Sequence, residues 1–97
     1  MSIDIVVVFD VDKVNKSDLA RHFSELATHT LTEPGCERFE LYEQTPDAGG
    51  FVLVERWKDE ASISDHMGMP YTEHFLANAK HMIVRSEVHR LTLLVAG

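Results

Sequence analysis

A single cysteine, Cys36, excludes an internal disulfide and any cysteine-built metal cluster. It implies a reducing compartment, so the expected location is cytoplasmic. Basic residues are scarce as well: nine Lys and Arg stand against sixteen Asp and Glu, for a net charge of −7. No segment gathers the basic residues, so nucleic acid is not expected as a partner. No stretch approaches the ~18 consecutive apolar residues of a membrane span. The start, Met1-Ser2-Ile3-Asp4, lacks the basic residues of a signal peptide, and the apolar stretch after it is broken by Asp4, Asp10 and Asp12. A membrane is therefore not expected as a partner either. The chain has neither linker nor low-complexity tract. Its 97 residues, 44% of them apolar, read as one domain over 1–97 that can bury a core yet is only modestly stable alone.

What is present is periodic. From Ile3 to Val11 the odd positions are all apolar, with Val6 and Val8 between them, so this is a strand covered on both faces at its middle. Ser17-Asp18 is a helix start, and Leu19, Phe23, Leu26 and Thr30 recur at helical spacing up to Pro34-Gly35. Cys36 to Thr45 alternates, a turn follows at Pro46-Asp47-Ala48-Gly49-Gly50, and Phe51 to Lys58 is β-prone, which together make a hairpin. Asp59 to Met67 reads as a short helix with Ala61 and Ile63 inward. It breaks at Gly68-Met69-Pro70 before a second piece carrying Tyr71, Phe75 and Ala79. Val84 to Val95 returns to a strand, Val88 facing one way and Leu91, Leu93 and Val95 the other.

The order β-α-β-β-α-β is the split βαβ arrangement, an α+β, ferredoxin-like fold with a four-stranded antiparallel sheet and its helices on one face. The first and last strands are apolar on both sides, so the sheet's free face needs cover. A second copy supplies it most economically, and a homodimer is expected.

The landmarks along the chain are specific. Glu33-Pro34-Gly35-Cys36 follows the first helix, Phe39-Glu40-Leu41-Tyr42 lies in the second strand, and Val54-Glu55-Arg56-Trp57 runs into Lys58-Asp59-Glu60-Ala61. His66 is then followed by Pro70-Tyr71 and Phe75. In kind, order and spacing these resemble the antibiotic-biosynthesis monooxygenase family. The resemblance implies a dimeric α+β barrel with a pocket between sheet and helices in each subunit. Members of that family include cofactor-free oxygenases of quinols and polycyclic phenols, haem-degrading enzymes and a signal-molecule isomerase. Where the polyketide ring oxygenases carry Asn and Tyr around the strand tryptophan, this chain has Leu53 and Ile63. The first-strand Asn of the haem-degrading members is also missing, so haem is not expected.

Several residues are candidates for chemistry. Trp57 can wall an apolar pocket and donate from its N–H, or be a core tryptophan. His66, beside the Gly68 break, can face a pocket and move a proton, because unperturbed imidazoles titrate near pH ~6.5; a solvated helix end is its alternative. Tyr71, His74 and Phe75 share a helix face and can bind a substrate through two polar tips and a ring. His22 and His29 flank the first helix's apolar stripe and read as surface groups. Cys36 reads as a structural thiol. In the Pro34-Gly35 turn, Gly35 is expected to supply a positive φ, and the motif marks the fold rather than the site.

With no Gly-rich phosphate loop and no converging ligand set, neither metal nor flavin is expected and no cofactor is assigned. The activity that follows is a cofactor-independent monooxygenase acting on a small electron-rich aromatic, a quinol or phenol, with O2. His66 and Trp57 are its catalytic residues and Tyr71, His74 and Phe75 its substrate contacts. An isomerase or degradative enzyme for a small oxygenated metabolite, or a non-catalytic ligand-binding dimer, is the alternative.

Overall fold

The computed structural model describes residues 1–45 and 49–97; Pro46, Asp47 and Ala48 of the expected turn lie outside the described residues. The elements are β1 (Ile3–Val11), α1 (Lys16–Thr30), β2 (Cys36–Glu43), β3 (Gly50–Trp57), α2 (Glu60–Met67), α3 (Pro70–Ala79) and β4 (Ile83–Leu91). All strand pairings are antiparallel, in the order β2-β3-β1-β4. This is the ferredoxin-like α+β arrangement read from the sequence. No helix among the described residues is long and apolar enough to cross a membrane.

Strand parity decides which face is core. Ile5, Val7, Phe9 and Val11 are buried, and register sets Val7 against Leu53 and Phe9 against Phe51, so one apolar face runs across β1 and β3. Leu19, Phe23 and Leu26 of α1 cover it, with Phe75 and Ala79 of α3 alongside. The Phe23 ring packs tilted between Phe9 at 5.4 Å and Phe75 at 4.6 Å, avoiding the face-to-face sandwich that aromatic quadrupoles disfavour. The break between α2 and α3 falls where proline puts it. Met69 is extended ahead of Pro70, and Pro70 occupies the first helical position, where its missing N–H costs no helical bond.

Four expectations need correction. Ala61 is exposed, because it lies two positions from Ile63 and so on the opposite side of α2; the inward face carries Ile63 and His66, three apart. The helix at Ser17 begins one residue earlier, at Lys16, after a single 3₁₀ turn over Lys13–Asn15 and without a side-chain cap. The last strand ends at Leu91, the partner of Asp4 at the start of β1, and Leu93 and Val95 lie beyond it, exposed. Gly35 has no positive φ. What it provides is room: a Cβ there would collide with the Ser62 side chain of α2. Gly35→Ala is accordingly expected to push α2 off the turn and cost about 1–3 kcal/mol, the usual range for overpacking. A denaturant melt reads this, and a loss below about 0.5 kcal/mol would contradict the close approach.

The sheet's outer face carries Val6 and Val8 of β1 directly opposite Val54 and Val52 of β3. All four are half-buried. The Asp4–Arg56 ion pair (2.7 Å) and Tyr42 border them.

Candidate active site

Between the inward sheet face and the three helices lies a cavity of about 600 Å³. Its walls are apolar, with Phe9, Phe23, Phe39, Leu53 and Phe75 prominent. Leu53 and Ile63 both line it. Three buried polar residues break the apolar lining: Glu55, His66 and Thr72.

Glu55 is there because β3 alternates. Phe51, Leu53, Glu55 and Trp57 share the inward parity and are all buried, so the carboxyl points where a hydrophobic residue would otherwise sit. The Trp57 Nε1–H donates to Glu55 Oε1 at 2.9 Å. Burial pushes the Glu55 carboxyl above the usual carboxylate range, against the Trp57 hydrogen bond and the nearby charge of His66, which pull it down. A carboxyl raised in the fold above its unfolded value stabilises the protein below that unfolded value, and the contribution is lost as pH rises through the folded value. Glu55→Gln keeps an acceptor for Trp57 and removes the charge. It is therefore expected to melt higher than the parent at about pH 8, the advantage shrinking towards about pH 4. A variant melting lower than the parent at both pH values would contradict the burial cost.

His66 reaches the cavity through a chain of local causes. Asp59 caps α2 by accepting from the Ser62 N–H (2.8 Å) and hydroxyl (2.7 Å), which fixes where the helix starts. Gly35 lets Ser62 approach, so α2 lies against the 33–36 turn. One helical turn on from Ser62, His66 faces Glu33, and His66 Nδ1 lies 2.8 Å from Glu33 Oε2. The imidazole is 6% exposed and backed by the Trp57 ring at 4.7 Å. With Nδ1 bonded to a carboxylate, the proton belongs on Nδ1 and the lone pair on Nε2. The ring that carries this lone pair lines the cavity. The imidazole is buried and held by a carboxylate, and is not a solvated helix end.

The other expected site residues divide. Phe75 lines the cavity, whereas Trp57 is fully buried behind Glu55 and His66 and takes no part in the lining. Tyr71 donates its hydroxyl to the same Glu33 oxygen at 2.7 Å, so it touches the site through Glu33. Burial, then the Glu33 bond, push the Tyr71 phenol up to about 12, which keeps it a donor. Tyr71 and His74 face a smaller cleft of about 200 Å³ on the far side of α3, shared with His22, Glu25 and His29. His29 stacks on Tyr71 at 5.0 Å, and His74 pairs with Asn78. No three His, Cys, Asp or Glu side chains among the described residues converge as metal ligands. Cys36 is half-buried, its thiol pushed up to about 11 chiefly by burial, so it stays protonated and unreactive.

Sequence reading missed Glu33, Glu55 and Thr72. Glu55 announced itself as the one charge in an otherwise apolar parity of β3. Glu33 gave no periodic signal, since it lies in a turn; its motif belongs to the site as well as to the fold.

Residues 2–78 match the sequence profile of a family described as antibiotic biosynthesis monooxygenase. YcnE of Bacillus subtilis (strain 168) is 31% identical over 58 residues, 60% of this chain and 61% of that protein, so the chain spans under two thirds of that relative. Rv0793 of Mycobacterium tuberculosis (strain ATCC 25618 / H37Rv) is 30% identical over 70 residues, 72% of this chain and 68% of that one. The solved structure of Rv0793 superposes with a TM-score of 0.89 at 26% identity, covering 99% of this chain and 98% of that chain. A structure from Caulobacter crescentus CB15 reaches 0.90 at 19% identity, over 97% and 91% of the two chains, and speaks for the fold alone.

Proposed function

Because the chain belongs to the antibiotic biosynthesis monooxygenase family, we propose that it is a cofactor-independent monooxygenase that oxidises a small electron-rich aromatic, a quinol or phenol, with O2. The observation that carries this reading is the Glu33–His66 pair, which aims a carboxylate-oriented imidazole into an apolar cavity. The names of YcnE and Rv0793, candidate monooxygenases both, support the reaction class.

In this reading a phenol enters the cavity and gives its proton to His66 Nε2. Glu33, at 2.8 Å from Nδ1, stabilises the imidazolium that forms. The phenolate is then the reductant. A ring carbon bonds to one oxygen atom of O2, and as the O–O bond breaks that carbon loses its hydrogen as a proton. This proton and the phenolic one returned by His66 take the second oxygen atom away as water, and the ring becomes a quinone. No outside electron is needed. Phe75 and Phe39 hold the ring, Trp57 fixes Glu55 and backs the imidazole, and Tyr71 positions Glu33. His74, on the far cleft, has no contact with the same ligand.

Oxygen uptake by the purified protein with hydroxynaphthalenes and catechols tests the reaction, with ¹⁸O₂ to follow the atom. The expected result is uptake matched by labelled quinone. Substrate loss without uptake would overturn the reading in favour of an isomerase.

The assembly in this account is a homodimer, its interface centred on Val6, Val8, Val52 and Val54. The exposed Leu91 of β4, paired with Asp4, lies on this same face and extends the apolar surface. Light scattering at micromolar concentration is expected to give twice the 11.0 kDa chain mass, and Val6→Glu with Val54→Glu to give the single chain. A parent protein at the single-chain mass would contradict the interface.

A further inference from the structure

The cavity around His66 is electrically two-ended, with a charge order that the chain as a whole does not foretell. At the inner end stand Glu55, His66 and Thr72, all buried. At the mouth stand Lys80, in the turn after α3, and Arg90 of β4, whose partner Ile5 lies on the inward face. The mouth is thus cationic in a chain with net charge −7. Glu55 is the one carboxylate among the described residues lining it.

The mouth cations retain binding capacity. Arg90 bonds Glu60. A guanidinium has several N–H donors, and this bond engages one of them. Lys80 enters no ion pair among the described residues.

Thr72 is an independent sign of a ligand. Its Oγ1 is buried at the cavity wall without a hydrogen-bond partner among the described residues. Buried hydroxyls are ordinarily satisfied, and a ligand oxygen beside α3 would satisfy this one.

Resting on the reading of this cavity as an oxygenase site, we propose that its ligand is a hydroxyaromatic acid. Its hydroxyl lies inward against His66 and Thr72, and a carboxylate or similar anion lies outward, on the β4 side that Lys80 and Arg90 line. The reverse orientation would bury an anion beside Glu55 in an apolar enclosure, where an unpaired charge is heavily disfavoured. A neutral phenol leaves the mouth cations unused, and a cationic amine must pass them. The two ends together select the ligand class and fix which end of it meets the imidazole.

Calorimetric titration under argon with 6-hydroxy-2-naphthoate and with 2-naphthol, its uncharged counterpart, tests this. At low ionic strength the carboxylate is expected to bind about three- to tenfold tighter, the range for a few solvent-exposed ion pairs. The ratio is expected to fall towards one in about 1 M salt, where screening reaches contact distance. It is also expected to fall towards one in the Lys80→Gln, Arg90→Gln double variant. If 2-naphthol binds as tightly as the carboxylate at low salt, the inference is overturned while the oxygenase reading stands. If the advantage survives both high salt and the double variant, the mouth is not its source and the inference is likewise overturned. If neither compound binds, inference and oxygenase reading fall together.

Discussion

Replacing His66 with alanine is expected to lower turnover of a phenolic substrate roughly 10²–10⁴-fold, the usual span for loss of a positioned general base. The buried position adds a consequence that an exposed histidine would not have. Without the imidazole, Glu33 keeps Tyr71 as its side-chain partner and loses the other, so a stability cost of about 1–3 kcal/mol accompanies the kinetic loss. Turnover is therefore compared well below the melting range of the variant. Glu33→Gln separates the roles: the imidazole stays, its orienting carboxylate goes, and turnover falls by less than in His66→Ala. His22→Ala, at the far cleft, is the control, with melting expected within about ±0.5 kcal/mol of the parent. Full turnover in His66→Ala, measured by oxygen uptake, would remove the base from the account.

Trp57→Ala is expected to be the most destabilising single change, at about 3–5 kcal/mol for truncating a fully buried aromatic. Two losses combine there. The indole volume vanishes from between the sheet and α2, and Glu55 loses the N–H that holds its carboxylate at 2.9 Å. For a domain of this size such a loss lowers Tm by roughly 12 °C or more. Trp57→Phe restores much of the volume without the donor and isolates the hydrogen bond, with an expected cost of about 1–3 kcal/mol. The Trp57→Phe carboxyl also loses a group that pulls its titration down, so the Glu55 penalty at neutral pH grows. Thermal melts of both variants decide it. Equal destabilisation in the two would show that the N–H, and not the packing, carries the effect.

The fold was readable because its elements announce themselves by period. Ile5, Val7, Phe9 and Val11 at two, and Leu19, Phe23 and Leu26 at helical spacing, have the core faces that their patterns imply. The Gly68-Met69-Pro70 break followed from proline's own geometry. The site was only half readable. His66 and Phe75 lie on regular elements, and both line the cavity. Tyr71 and His74, one turn of one helix, aim at the far cleft because the cavity side of α3 is taken by Thr72, Phe75 and Leu76. Glu33 became part of the site through a long-range approach, from a turn to a helix 33 positions on, made possible by an absent side chain at Gly35. Spacing along the chain carries no trace of such a contact. β4 was read too long because its apolar residues continue past the end of the strand it pairs with.

Whether His66 takes a phenolic proton inside the cavity is read from the absorption of 2-naphthol bound under argon, free of any oxygen chemistry. A naphtholate band is expected at neutral pH with the parent protein, lost in His66→Ala though the compound still binds. Bound naphthol that stays neutral in the parent, or a naphtholate band undiminished in His66→Ala, would contradict it.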